Sequence, residues 1–229
     1  MLVLFDIDGT MLLTERAGVA SMLEAGRELF GEHFSFEGVP VAGRLDILIW
    51  RDLARSNGVD DTPANHDRFR ARYGRALADR LTRDPLARAL PGVVPLLETL
   101  AREDGVALGL LTGNYPETGR MKIAAAGIDP DRFRIAAWGI DGESRRELPP
   151  VAMRRHEELL GRPVAPDRVV IIGDTPHDVD CARHHGCRAI GVGTGSFPAD
   201  ELARCGADLA LSDLGDTDRV RAWILDRQP

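Results

Sequence analysis

The sequence is almost without lysine: of its 29 basic residues, 28 are arginine and one, Lys122, is lysine. Cysteine is scarce as well. Cys181, Cys187 and Cys205 are odd in number and lie late in the chain, which implies no disulfide framework and makes a reducing cytoplasm the expected setting. No apolar stretch approaches the length of a membrane span, and no basic leader precedes an apolar segment at the N-terminus, so neither a spanning helix nor a cleaved signal is expected. Positive charge is not in excess: the net charge of −7 disfavours a general nucleic-acid or anionic-membrane surface, though a small anion could still be held by local cations and backbone amides. What remains is a chain of 229 residues, 44% hydrophobic and 28% charged, with room for one large domain or for a core with a smaller insert.

The most informative segment is the first. An apolar run over residues 1–5 has the content of a buried strand, and Asp6-Ile7-Asp8-Gly9-Thr10 follows at once. Burying an unpaired charge is costly, so two carboxylates at the end of such a strand point to a cation beside them. In open α/β folds that end of the sheet is where ligands bind.

Further buried-strand candidates lie at residues 106–111, 134–138, 168–172, 188–192 and 208–211. Helical patterns separate them at 116–126, 149–160 and 176–185, each followed by a glycine, and a last one over 216–226 closes the chain. Strands alternating with helices across short joints predict a parallel sheet covered on both faces. Residues 14–90 break the alternation. They read as helical over about 15–30, 45–56 and 63–81, after which Pro91-Gly92 returns the chain to a core helix over 93–103. The expected division is therefore a core of residues 1–13 and 91–229 with an all-helical cap over 14–90.

Three core strands end in reactive or ligand-type groups: Asp6 and Asp8, Thr112, and Asp174. Asp178 lies one helical turn beyond Asp174, and a basic pair, Arg145-Arg146, precedes the helix at Pro149. Taken together as Asp6-Ile7-Asp8-Gly9-Thr10, Leu110-Leu111-Thr112-Gly113-Asn114, Arg146-Glu147-Leu148-Pro149 and Gly173-Asp174-Thr175-Pro176-His177-Asp178, the pattern resembles the haloacid dehalogenase-like superfamily of hydrolases. The helical insert looks like its phosphoglycolate phosphatase/β-phosphoglucomutase branch. The resemblance implies a Rossmann-like parallel core.

It also implies a role for each residue. Asp6 would be the nucleophile, forming an aspartyl-phosphate that splits hydrolysis into two easier steps. Mg²⁺, a hard cation suited to oxygen ligands, would be held by Asp6, the backbone carbonyl of Asp8 and Asp174, with Asp178 completing or supporting the shell. Asp8 would protonate the leaving alkoxide and then activate water. Thr112 would donate to a phosphoryl oxygen, helped by the amides of Gly113 and Asn114 ahead of a helix.

Arg146 stands where the family carries a lysine, with Arg145 the alternative if the register slips by one. In a chain so poor in lysine, composition alone can explain the exchange. Arginine keeps the charge and can grip an anion bidentately. Lys122, in the helix after Thr112, is a minor candidate for the same task.

Within the cap, Val41-Ala42-Gly43-Arg44-Leu45-Asp46 resembles the branch's specificity loop, making Arg44 and Asp46 candidates for substrate contact. A plain helix N-terminus with a surface arginine is the competing reading. Trp50 is expected in the interior of the cap. Gly191-Val192-Gly193-Thr194-Gly195 lacks the full dinucleotide spacing and reads as a sheet-edge loop. Cys181, His184, His185 and Cys187 do not share one face as a zinc site requires. His177 is assigned no role.

The expected activity is a Mg²⁺-dependent phosphatase acting on a small phosphorylated metabolite, as a monomer or small homo-oligomer. A phosphomutase and a non-catalytic phosphate-binding module are the alternatives.

Overall fold

A computed structural model describes residues 1–83 and 87–226. Residues 84–86 of the expected cap and 227–229 of the expected core lie outside the described residues.

The opening run forms β1 (Leu2–Phe5), whose four side chains are all buried. Its alternate residues serve opposite layers, because successive strand side chains point to opposite faces. Val3 and Phe5 join one hydrophobic cluster and Leu2 and Leu4 the other. After β1 the chain makes a short strand, β2 (Leu12–Leu13), before three helices: α1 (Ala17–Phe30), α2 (Asp46–Ser56) and α3 (Pro63–Arg83). It returns through β3 (Arg88–Ala89), which pairs antiparallel with β2. From there strands and helices alternate: α4 (Val93–Leu100), β4 (Ala107–Leu111), α5 (Pro116–Ala125), β5 (Ile135–Ala137), α6 (Leu148–Leu160), β6 (Val169–Gly173), α7 (Pro176–His184), β7 (Arg188–Val192), α8 (Ala199–Arg204), β8 (Leu209–Leu211) and α9 (Thr217–Ile224).

The main sheet has six strands in the order β5-β4-β1-β6-β7-β8, and every pairing in it is parallel. β1 sits between β4 and β6, with Phe5 in register with Leu110 and Ile172. The residues that follow these three strands, Asp6, Thr112 and Asp174, therefore emerge at one edge. Residues of α4, α5 and α9 cover one face, and residues of α6, α7 and α8 cover the other.

The three inserted helices have their own interior. Phe34, Trp50, Phe69 and Tyr73 are fully buried there, together with Leu53 and Leu77. Trp50 packs against Phe69 with ring centroids 4.6 Å apart and the rings tilted by 33°, and its indole Nε1 donates to Asp61 Oδ1 at 2.7 Å. Such a residue holds helices together through its buried area and one satisfied polar atom. Tyr115, from the turn before α5, also enters this cluster and ties the helices to the sheet edge. Its hydroxyl and His66 Nε2 share a hydrogen bond of 2.8 Å, and Arg70 pairs bidentately with Glu117 at 2.6 and 2.8 Å. Arg51 pairs with Glu143 across the same seam.

Two helix boundaries differ from the sequence expectation for a backbone reason. Glu15 and Arg16 both have positive φ, 49° and 63°, so α1 starts at Ala17. α4 ends at Leu100 rather than 103, and Gly105, at φ 77°, turns the chain toward β4.

Candidate active site

Asp6 meets Arg145 whereas Asp8 meets Lys122 and Asn114, and Gly9, at φ 77°, then folds the chain back so that its N–H donates to Leu12 O at 2.9 Å. Position 9 admits no side chain for a second reason: a Cβ there would lie 2.4 Å from Asp174 Oδ2. A Cβ at Gly195 would strike the same oxygen at 1.7 Å, so backbone cradles the Asp174 carboxylate from two sides. The loop after β7 is thus part of the site, with Thr194 Oγ1 donating to Gly9 O at 2.5 Å. Read as sequence, that loop gave no such signal.

The structure brings Asp6, Asp174 and Asp178 together, each buried, with one oxygen of each within 4.8 Å of the others. Asp178 does two things. Its Oδ2 accepts from Thr175 N and Thr175 Oγ1 at 3.1 and 2.7 Å, closing the first turn of α7. Its Oδ1 is buried against the Arg145 guanidinium without a well-formed hydrogen bond among the described residues. Asp174 Oδ1 accepts from Thr10 Oγ1 at 3.2 Å.

Burial raises the Asp6 carboxyl well above the ordinary range; Arg145 opposes that shift and Asp178 adds to it. Burial and the negative charges of Asp6 and Asp178 raise Asp174 likewise. Three crowded, dehydrated carboxylates with oxygens this close together are a donor set that fits a hard divalent cation, which would relieve that crowding.

The cation already beside them is Arg145. Its Nη2 lies 3.1 Å from Asp6 Oδ1 and 2.5 Å from Asp178 Oδ1, and the residue is 7% exposed. Arg146, which the sequence pattern favours for this place, instead pairs with Asp180 on the surface at 2.7 Å. The reason is local. Residues Arg145–Glu147 form a single 3-10 turn ahead of α6, and its inward side falls on the first arginine. Arg145 also donates to Gly43 O at 3.3 Å and Leu111 O at 3.4 Å, so it touches β4 and the loop before α2 at once.

Thr112 is wholly buried. Its hydroxyl oxygen accepts from the Asn114 side-chain amide at 2.9 Å, which leaves the hydroxyl proton to donate. Asn114 Nδ2 also reaches Asp8 Oδ2 at 2.9 Å. Gly113 is pressed against the helical insert: a Cβ there would lie 2.1 Å from Arg44 O, and Asp46 N donates to Gly113 O at 2.7 Å. The Arg44 guanidinium turns to Asp52, 2.6 Å away, rather than to the carboxylate triad. Asp46 is buried, accepts from Tyr115 N at 3.0 Å, and is pushed up to about 7, chiefly by burial and against the pull of Lys122.

Lys122 is the residue that sequence reasoning underweighted. It is 5% exposed, and its ammonium lies 2.6 Å from Asp8 Oδ2 and 2.7 Å from Asn114 Oδ1. Its spacing from Thr112 carries no motif. Its being the only lysine in an arginine-rich chain was the available signal. Asp6, Asp8, Thr112, Asn114, Lys122, Arg145 and Asp174 line one cavity of about 580 Å³ between the sheet edge and the inserted helices, and Asp178 lies behind them.

The family model for haloacid dehalogenase-like hydrolases matches residues 3–183. Tyrosine-protein kinase PtkA of Mycobacterium tuberculosis is 31% identical over 206 residues, covering 87% of this chain and 64% of the relative. The chain thus spans a little under two thirds of that protein's length. Phosphoglycolate phosphatase of Rhodospirillum rubrum is 29% identical over 232 residues, covering 93% of this chain and 89% of the relative. Among solved structures, CbbY of Rhodobacter sphaeroides in complex with phosphate superimposes with a TM-score of 0.74 at 20% identity, covering 94% of this chain and 95% of that one. Among the described residues no helix is long and apolar enough to cross a membrane. The family model covers well over half of the chain, and the chain belongs to the haloacid dehalogenase-like hydrolase family.

Proposed function

We propose that this protein is a Mg²⁺-dependent phosphatase that hydrolyses a small phosphomonoester through an aspartyl-phosphate at Asp6. The observation that supports it most is the convergence of Asp6, Asp174 and Asp178 on one point, with the Arg145 guanidinium against two of them. Relatives named phosphoglycolate phosphatase and phosphoserine phosphatase lend the reading weight. Asp6, Asp174, Asp178 and the Asp8 carbonyl would hold Mg²⁺, which when bound offsets the repulsion between phosphate and carboxylates.

In this reading Arg145 orients the Asp6 carboxylate and draws the phosphoryl group toward it. The free proton of the Thr112 hydroxyl and the amides of Gly113 and Asn114 receive the non-bridging oxygens. Asp8 is tethered through Oδ2 to Lys122 and Asn114, so Oδ1 is left to face the cavity. From there it delivers a proton to the leaving oxygen and afterwards takes one from water. Residues 14–90 act as a cap. Their docking through Asp46, Arg70 and Arg51 keeps bulk water from the phosphorylated aspartate.

The test is release of inorganic phosphate from 4-nitrophenyl phosphate with Mg²⁺, compared with Asp6→Asn and with EDTA-treated protein. Activity that survives both treatments would rule the reading out. A hexose 1-phosphate converted to its isomer, with no phosphate released, would point to a phosphomutase.

A further inference from the structure

Four polar side chains at the phosphate end of the cavity form one connected set of hydrogen bonds, and its direction is set at Lys122. An ammonium has N–H donors and no acceptor. The Lys122 ammonium lies 2.7 Å from Asn114 Oδ1 and 2.6 Å from Asp8 Oδ2, so both oxygens accept from it. With Oδ1 of Asn114 turned to the lysine, Nδ2 faces the other way. There it reaches Thr112 Oγ1 and Asp8 Oδ2, each at 2.9 Å, and an amide nitrogen also only donates.

The places of two protons follow. Thr112 Oγ1 accepts from the amide, so its own hydrogen is free to point at an anion. Asp8 Oδ2 accepts two N–H groups, which engages both of its lone pairs, so a proton on this carboxyl belongs on Oδ1. A flipped Asn114 would reverse both. The threonine would donate to the amide oxygen, and Asp8 would meet that oxygen only by carrying its proton on Oδ2. Neither arrangement is favoured by Asn114 or Thr112 alone, because an amide and a hydroxyl each donate and accept. The ammonium breaks the tie.

The surroundings hold Lys122 in place. Thr112, Asn114 and Lys122 are all buried, so water does not compete for these bonds. The backbone of α1 closes over the ammonium, where even a Cβ at Gly18 would crowd Nζ at 3.2 Å. Asp8 differs, with 44% of its side chain exposed and lining the cavity.

We propose that Lys122 is a positioning residue that sets, through Asn114, the direction of the hydrogen bonds at Thr112 and Asp8. The inference rests on the phosphatase reading. Lys122 acts through its two partners rather than on the substrate. The threonine hydroxyl then donates to the phosphoryl group, and Asp8 carries its proton on Oδ1. As the bond from Asp6 to phosphorus forms and the bond from phosphorus to the ester oxygen breaks, that proton passes to the ester oxygen. The products of the step are an alcohol, the aspartyl-phosphate and an Asp8 carboxylate.

Two esters with the same ring read this directly, each with Mg²⁺. The benzyloxide of benzyl phosphate needs a proton to leave, and the 4-nitrophenoxide of 4-nitrophenyl phosphate does not. In both, kcat/KM reports transfer to Asp6 and not the later hydrolysis. In Lys122→Met, kcat/KM should fall about a hundredfold or more for the benzyl ester. For the nitrophenyl ester it should fall only about tenfold, through the Thr112 contact. Lys122→Gln keeps a polar group in the buried site but both donates and accepts, so it repeats the pattern in smaller measure even where the methionine variant does not fold. In Asp8→Asn the acid is already gone, and adding Lys122→Met should leave the ratio of the two esters unchanged.

Equal losses on the two esters in the lysine variants, no loss on either, or a further change of the ratio in the Asp8→Asn background overturns the positioning role and leaves the phosphatase reading in place. No phosphate release by the parent from either ester ends both.

Discussion

Arg145 reaches Asp6 at 3.1 Å with both side chains buried, whereas its neighbour Arg146 points to solvent and pairs with Asp180. Adjacent residues of one type thus have opposite consequences. Arg145→Ala should lower kcat on 4-nitrophenyl phosphate about 10²–10³-fold, the range for loss of a preorganised charge at a reacting phosphoryl group. Arg146→Ala should leave turnover close to the parent's and change stability little, as for an exposed ion pair. Steady-state kinetics on the two variants checks this, and a larger rate loss in Arg146→Ala would reverse the assignment.

Asp6→Asn tests the nucleophile and the crowding of the triad together. Turnover should fall by at least about a thousandfold, as when a covalent catalyst is removed. Without metal, the variant should melt at or above the parent temperature. Burial holds the native carboxyl above its ordinary range, and the amide carries no such penalty. Calorimetry in EDTA reads the second effect, and a clearly lower melting temperature would contradict it.

A divalent cation bound only by the folded chain must stabilise it. With Mg²⁺ at a hundred times its dissociation constant the gain is about 2.7 kcal/mol. For a chain of this size that is a rise of about 5–10 °C in melting temperature. Asp174→Asn removes one of the three buried carboxylates and should abolish the rise. An undiminished shift in that variant would place the ion elsewhere.

Asp46 gives a pH dependence whose sign follows from its environment. Its ordinary value is 3.8 and burial pushes it up to about 7. Between those values the folded chain keeps a proton that the unfolded chain has released. Stability therefore falls as pH rises through this window and levels off above it. Below the window both states are protonated and the cost disappears. Asp46→Asn can still accept from Tyr115 N, so its urea midpoint should exceed the parent's by a margin that grows from pH 5 to pH 8. The margin is on the order of a few kcal/mol at the upper end. Asp6 and Asp174 titrate in both proteins and cancel from the comparison. A margin equal at pH 5 and pH 8 would rule Asp46 out as its source.

The parallel sheet was legible because its strands are apolar runs that stop at polar residues. β1, β4 and β6 all carry this mark, and β7 matches its expected span of 188–192. β2 and β3 are two residues each, and α8 is six, too short for any periodicity to register. The acidic residues of the site were legible because they sit at strand ends or one helical turn beyond. Which of two adjacent arginines turns inward was not, since a 3-10 turn decides it. The meeting of Lys122 with Asp8 was also hidden, because a sequence separation of 114 carries no local pattern. Arg44 and Asp46 were singled out for their side chains. It is the backbone of both that meets Gly113, and backbone atoms leave no trace in residue identity.

The carbonyl of Gly113 and the N–H of Asn114 belong to one peptide, and a trans peptide is a rigid plate with those two groups pointing opposite ways. The carbonyl is held by Asp46 N, the first residue of α2. Tilting the plate to re-aim the amide at an arriving anion must strain or release that bond, and lifting α2 must let the amide swing. In the proposed reaction, anion capture and the seating of the inserted helices would thus share a single pivot, linked by covalent geometry with no chain of intermediates between them.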